Sequence, residues 1–286
     1  YTPGSTKDPY FHVMGDYTVF RGFEVTNSNP ASRVTKQDGS YPTDIKRGAL
    51  FNYGDYNKFI NLVVHDMGVG IGMWSAGKGG EVYGTIIYNN GWLAPSRSHG
   101  HGIYTQNLYD TKRFADNIIF NQFGYGVQGY GSQEASLKGF LLEGNTVFNN
   151  GGAAGVGYEA EGDILLGGAT PLENATLIGN YTYQNGMDGT VLLGYSKVNK
   201  DITVKNNYFV SDVRFRTGFT SATVTGNTVV GKAGRVTELD VPDGVSPSRY
   251  TWNNNHYVSS ASAPFSYEGS SKTWAQWKST TGLDSQ

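Results

Sequence analysis

Nine eight-residue segments of this chain align without a gap, and no other feature limits its fold as tightly. They are Phe20–Asn27, Phe59–Asp66, Val82–Asn89, Phe114–Asn121, Leu142–Asn149, Leu177–Gln184, Val204–Ser211, Val224–Gly231 and Trp252–Ser259. Each reads apolar-x-x-Asn-x-apolar-x-polar, with the Asn column filled by Phe23, Leu62 and Thr85 in the first three copies. Repetition on this scale marks a solenoid, in which every turn adds a rung to parallel sheets and stacking buries the apolar columns as one core. Successive columns lie 39, 23, 32, 28, 35, 27, 20 and 28 residues apart, so a short coil carries insertions of variable length at its corners. Asn tolerates left-handed backbone at a turn, and stacked Asn side chains can hydrogen-bond from rung to rung, so the column has a structural reading.

Composition agrees with many tight turns and little helix: 40 Gly and 20 Tyr stand beside only 4 Met. A net charge of −2 provides no bulk attraction to nucleic acid or to an anionic membrane surface. No apolar run approaches the roughly 20 residues that span a bilayer, and the first ten residues lack the basic-then-apolar order of a signal peptide. The chain therefore reads as soluble and as a mature or trimmed form. The absence of cysteine excludes disulfides, thiolate metal sites and a cysteine nucleophile, and fits both the cytosol and export. We read residues 1–286 as one domain: an N-terminal rung or cap over 1–19, coils over 20–267 and a C-terminal cap over 268–286. Ser271–Lys278, with Trp274 and Trp277, is expected to form a short amphipathic helical turn that plugs the C-terminal end. No capping helix is visible at the other end, so a loop, a partner or further sequence is expected to shield it.

On these repeats the chain resembles the right-handed parallel β-helix superfamily, the fold of pectate lyases, polygalacturonases, chondroitinase B and phage tailspikes, over Phe20–Tyr267. The resemblance implies an all-β, single-stranded right-handed parallel β-helix of about nine to ten coils. It also implies a secreted, cell-surface or periplasmic bacterial protein of the carbohydrate-active type. It does not select an activity, because the fold hosts lyases, hydrolases, epimerases, esterases and inert adhesins.

A second strand follows each Asn-bearing one, with inward-pointing starts expected at Ile71, Ile103, Val127, Val156, Val191, Val213, Val236 and Phe265. Period-2 alternation then sends outward Gly72 and Trp74, Tyr104 and Gln106, Gln128 and Tyr130, Gly157 and Glu159, Leu192 and Gly194, Arg214 and Arg216, Thr237 and Leu239. A solvated face would show Thr, Ser, Lys and Glu. Aromatic rings instead stack on sugar C–H surfaces, while planar amides and guanidinia pair with hydroxyls and carboxylates. Saccharide binding is one reading of this face; loops packed on the aromatics is the other.

Insertions locate the candidate site. Ser28–Gly48, with Lys46 and Arg47, and Gly91–Gly100, with Arg97 and His99, both fall between the Asn-bearing and the second strand, so they emerge on one side. The coil between them has almost no insertion there, which suggests two walls and a gap over Trp74, Tyr104 and Gln106. A third insertion, Tyr158–Leu172, is expected to leave after the second strand of its coil and carries Glu159, Glu161 and Asp163.

His99 and His101 are the proton-transfer groups at this edge. Gly100-His101-Gly102 looks like the Gly-His-Gly motif of polygalacturonases, but that family's Asn-Thr-Asp, Asp-Asp and Arg-Ile-Lys are not at matching places, so its mechanism is not carried over. The structural alternative makes His101 a turn residue bonded to the next rung. For β-elimination on a uronate chain, Arg97, Lys46 or Arg47 would neutralise the carboxylate, His99 or His101 would be the base and Tyr104 the acid. Trp74, Gln106, Gln128, Tyr130, Glu159, Arg214 and Arg216 complete the expected substrate-binding set. Calcium often neutralises the carboxylate in similar lyases, but no tight acidic cluster lies beside His101, so a calcium-free scheme with no metal or cofactor is expected. A glycoside hydrolase using the pair Glu159 and Glu161, and a non-catalytic carbohydrate-binding or adhesion protein, are the alternatives.

Overall fold

The computed structural model describes residues 7–28, 30–132, 135–154, 161–184, 191–232 and 234–285. The chain winds as a single-stranded right-handed parallel β-helix of about nine coils with three sheets, as the repeat implies. One sheet, here the floor sheet, stacks Phe11–Val13, Gly48–Asn52, Val69–Met73, Ile103–Thr105, Val127–Gly129, Ile164–Leu166, Val191–Leu193, Val213–Phe215, Thr237–Leu239 and Phe265–Tyr267 in parallel. A flank sheet runs from Val19–Arg21 to Tyr250–Asn253, and a back sheet from Glu24–Thr26 to His256–Ser259.

The eight-residue motif is two strands joined by a bend, one in the flank sheet and one in the back sheet. The bend comes from the third motif position, which is left-handed in all nine copies: Gly22, Asn61, Gly84, Asp116, Gly144, Gly179, Asn206, Gly226 and Asn254. These are the residue types that reach positive φ at least cost. The left-handed residue therefore precedes the Asn column, whose job is the ladder. Asn145 shows the pattern: its Oδ1 accepts from the backbone N–H and the amide of Asn117 at 3.1 and 2.9 Å, and its Nδ2 donates to Phe114 O and Asn180 Oδ1 at 2.8 and 2.9 Å. The chain of amides continues through Asn180, Asn207, Asn227 and Asn255 and ends on Asp284. A bend buried between stacked coils would otherwise leave its polar groups unsatisfied.

Apolar columns fill the interior. Phe59, Val82, Phe114, Leu142 and Leu177 come from the flank sheet, Val64, Ile87, Ile119 and Val147 from the back sheet, and Ile71, Ile103, Val127 and Ile164 from the floor. Removing a ring such as Phe114 would cost about 3–5 kcal/mol. A C-terminal helix spans Trp274–Thr281, three residues beyond the expected Ser271–Lys278 turn because Ser270–Lys272 is a strand, with a capping box at Thr273 and Gln276. Trp277 is fully buried, 5.1 Å from the Phe265 ring. No helix among the described residues is long and apolar enough to cross a membrane.

Two floor rungs differ from expectation. The rung paired with Val127–Gly129 is Ile164–Leu166, not a strand at Val156. Val156, Gly157 and Glu159 lie outside the described residues. Residues 161–163 therefore precede a floor strand instead of following one, on the edge where the other two insertions emerge. Near the C-terminus the strand starts at Thr237 rather than Val236, so Thr237 and Leu239 point inward and Glu238 points out. A one-residue slip exchanges the faces, and an apolar residue on either side of the boundary gave the pattern two registers to choose from.

Candidate functional site

A cavity of about 450 Å³ lies over the floor sheet, and most of the expected site residues line it. Arg47, Trp74, Arg97, His99, His101, Tyr104, Gln128 and Tyr130 are among them. Tyr104 and Gln128 occupy matched positions on adjacent floor strands, so the pleat aims both outward. Tyr41, Trp92, Tyr125, Glu161 and Tyr195 line it as well.

The insertions Ser28–Gly48 and Gly91–Gly100 do not stand apart as two walls. Thr35 N–H donates to Leu93 O at 2.8 Å and Leu93 N–H to Arg33 O at 2.7 Å, zipping them together across the short second coil. Trp92 Nε1 donates to Ser40 O at 3.0 Å, and the Tyr41 and Trp92 rings are 5.0 Å apart. Arg33 anchors this single wall to the solenoid through Asp66, Gly91 O and Asn89 O, with its guanidinium 4.6 Å from the centre of the Phe123 ring. Asp66 also binds His65 and Asn89 and has a structural role.

The wall presents His99 and the two arginines. The His99 ring lies flat on Trp92, with centroids 4.9 Å apart and planes inclined by 4°. Burial, and then Arg97, push the His99 pKa below its ordinary value, so the ring is neutral near pH 7. The Arg47 guanidinium sits over the Tyr41 and Phe51 rings at 5.6 and 5.4 Å. Neither Arg47 nor Arg97 forms an ion pair among the described residues; exposed Asp38, which accepts from Ser96 N–H at 3.1 Å, is the acid facing Arg97 and His99 at the rim.

His101 is held in one tautomer. Tyr125 N–H donates to its Nδ1 at 3.0 Å, which leaves the proton on Nε2. Burial, with His99 and Arg97 adding to it, pulls its pKa down to about 3. It is thus bonded to the next rung, as the structural alternative expected, while its ring still lines the cavity. Gly100, at φ +90°, makes the turn between the two histidines, and its carbonyl accepts from Gly124 N–H at 2.8 Å. Tyr104 meets Trp74 edge to face at 5.3 Å; burial and Tyr130 push its pKa up, so it remains a neutral phenol.

Glu161 approaches from the insertion before Ile164. Burial pushes its carboxyl pKa up to about 8, with Arg97 acting against the shift. Three side chains lining this one cavity carry a buried polar atom without a partner among the described residues: Trp74 Nε1, His99 Nε2 and Glu161 Oε2. Buried polar atoms are normally paired, so three together call for a polar ligand or ordered water.

Other expected residues lie elsewhere. Lys46 is only 4% exposed and does not line the cavity, because the chain turns it inward one residue before Arg47. Gln106 donates its amide to Tyr130 O at 3.2 Å and is also outside the lining. Arg214 pairs with Asp212 at 2.8 Å and with Glu238, and Arg216 lies 3.9 Å from Glu238, so this patch is a local ion-pair network. Asp163 is fully buried and accepts from Asn150 and Gln184 at 2.7 and 3.0 Å within a second ladder. Among the described residues, no three of His, Asp and Glu converge as metal ligands.

Fold and cleft together define a right-handed parallel β-helix with an aromatic, basic cleft on its floor sheet. The profile of the family described as "Right handed beta helix region" matches residues 31–170. Among solved structures, the chain is similar to pectate lyase Pel9A at 14% identity and a TM-score of 0.43, covering 96% of this chain and 62% of that one. It is similar to a cysteine-to-alanine mutant of DFA-IIIase from Arthrobacter chlorophenolicus A6 at 13% identity and a TM-score of 0.43, covering 93% and 60%. The same mutant in complex with DFA-III gives 14% identity and a TM-score of 0.40, over 93% and 60%. This chain thus spans about three-fifths of the length of those proteins. No curated protein matches it.

Proposed function

We propose that the protein is an exported carbohydrate-active enzyme, a polysaccharide lyase that cleaves a uronate-containing chain by β-elimination in this cleft. The observation that carries the reading is the charge of the cleft. Arg47 and Arg97 face a cavity floored by aromatic rings, and its one carboxyl among the described lining residues, Glu161, is held protonated. Such a pocket favours an anionic saccharide: rings for the sugar faces, guanidinia for the carboxylate. In this scheme Arg97, with Arg47 beside it, stabilises charge that builds on the uronate as the C5 proton leaves. His99, neutral and with Nε2 unpartnered, takes that proton. His101 Nε2–H and the Tyr104 hydroxyl donate hydrogen bonds to the bound sugar, and Trp74, Gln128 and Tyr130 hold its neighbours.

The test is incubation with polygalacturonate, alginate, hyaluronan and heparin, following the ultraviolet absorbance of the unsaturated uronate product. Absorbance that grows on one acidic polymer is the expected result. New reducing ends without absorbance would replace the lyase with a hydrolase, for which Glu161 needs a second carboxylate; binding without cleavage would leave an adhesin.

A further inference from the structure

Glu161 stands out because the cleft spends so much to hold it. Its Oε2 is buried with no donor or acceptor among the described residues, just before the floor strand Ile164–Leu166. The bend beside it, before the floor strand Val127–Gly129, has no side chain at Gly124: a Cβ built there would lie 2.5 Å from Glu161 Oε2, 2.7 Å from His101 Cε1 and 2.6 Å from Gly100 O. Carboxyl and imidazole thus converge on one point that only glycine leaves open, beside His99 and Arg97 in the same cavity.

Resting on the lyase reading above, we infer that Glu161 is the proton donor to the departing glycosidic oxygen, with Gly124 as the residue that makes room for it. His99 Nε2 takes the C5 proton, and the C5–H electron pair becomes the C4=C5 double bond. The C4–O bond breaks with its pair on oxygen, and oxygen takes the Glu161 proton. The step leaves imidazolium and carboxylate, which return to their starting forms by exchanging one proton through water. The carboxyl is suited to this because burial keeps it protonated at neutral pH. The groups facing it are Arg97, His101 and Tyr125. Arg97 opposes the raised pKa without abolishing it. Tyr104, the donor expected from sequence, lies against Trp74 on the floor.

Glu161→Gln keeps the shape and neutrality of the buried carboxyl and removes the proton. On whichever polymer of the panel the unaltered protein cleaves, kcat is expected to fall about 10²- to 10⁴-fold with KM little changed. The alkaline limb of the pH profile, near pH 8 in the unaltered protein, is expected to vanish. A 4-O-aryl uronide, whose phenolate leaves without protonation, is expected to restore most of the rate to Glu161→Gln, which a merely structural role would not do. Full activity in Glu161→Gln, or equal losses on polymer and aryl uronide, overturns the assignment alone and leaves the lyase standing. No cleavage by the unaltered protein of any polymer or of the aryl uronide overturns both.

Discussion

The backbone N–H of Tyr125 donates to Nδ1 of His101 at 3.0 Å, and under the proposed lyase reading that bond gives the two cleft histidines different roles. A ring whose Nδ1 is already an acceptor and whose pKa lies near 3 carries its proton on Nε2 and does not serve as a base near neutrality. His99 has no such bond among the described residues, and the lyase scheme uses its unpartnered Nε2 as the accepting nitrogen. His99→Ala should therefore lower kcat about 10²- to 10⁴-fold. His101→Gln, which can still accept from Tyr125 and donate to a ligand, should lose about tenfold, within the range of a single hydrogen bond. The check is kcat/KM against pH: His101→Gln keeps the acid limb, which lies below pH 6.5 because His99 is depressed. Loss of that limb in His101→Gln would exchange the assignments.

Arg33 lies outside the cavity lining yet holds the wall that carries Arg47, Arg97 and His99. Its guanidinium reaches Asn89 O at 2.5 Å, Gly91 O at 3.0 Å and Asp66 at 3.1 Å, and burial pulls its own pKa down against the pull of Asp66 and Asp44. Arg33→Met should leave the solenoid folded while the wall loses its anchor. Substrate affinity should weaken about tenfold or more, as expected when a buried hydrogen-bonded cation is removed. Circular dichroism and the KM measured on the cleaved polymer check the two halves of this statement.

Much of this fold was legible because the repeat is written in residues whose roles are local. The apolar columns and the Asn ladder needed only periodicity and turn chemistry. The cleft edge at Arg97–Tyr104 was visible as an insertion beside an outward aromatic. Glu161 was harder, because an apolar Val156 offered a plausible strand start eight residues before the real one at Ile164. That shift turned a loop entering the cleft into one leaving it. Lys46 and Arg47 show a second limit: adjacent basic residues in a loop have no period to say which side faces the cavity. The zipper between Arg33, Thr35 and Leu93 joins insertions about 60 residues apart, a pairing that no local pattern encodes.

The ladder itself can be tested at Asn145, where one side chain serves four partners. Asn145→Ala strands the backbone N–H of Asn117 and the carbonyl of Phe114 in a buried bend and leaves the Asn117 amide with Val82 O alone, and each stranded group costs about 1–3 kcal/mol. Destabilisation of about 3 kcal/mol or more is expected in urea unfolding. Asn255→Ala, at the half-buried end of the same ladder, should cost less, since water reaches it. Equal losses at the two positions would mean that the ladder's worth does not come from burial.

Stability and catalysis are expected to pull in opposite directions at Glu161. Its folded pKa, about 8, lies above the ordinary value of 4.5. Between those values the folded state holds a proton that the unfolded chain has released, so stability is fully present below about pH 4.5 and falls as pH rises toward 8. Burial sets the sign, and Arg97 moderates it. Glu161→Gln carries no proton to lose, and its unfolding curve should lack this decline. The variant should melt about 2 °C or more above the unaltered protein at pH 8 and match it more closely at pH 4.5. Thermal unfolding of both proteins across that range decides the matter without any substrate. If the two melting curves run parallel from pH 4.5 to 8, the carboxyl is ionised in the folded protein and the proton donor must be sought elsewhere in the cleft.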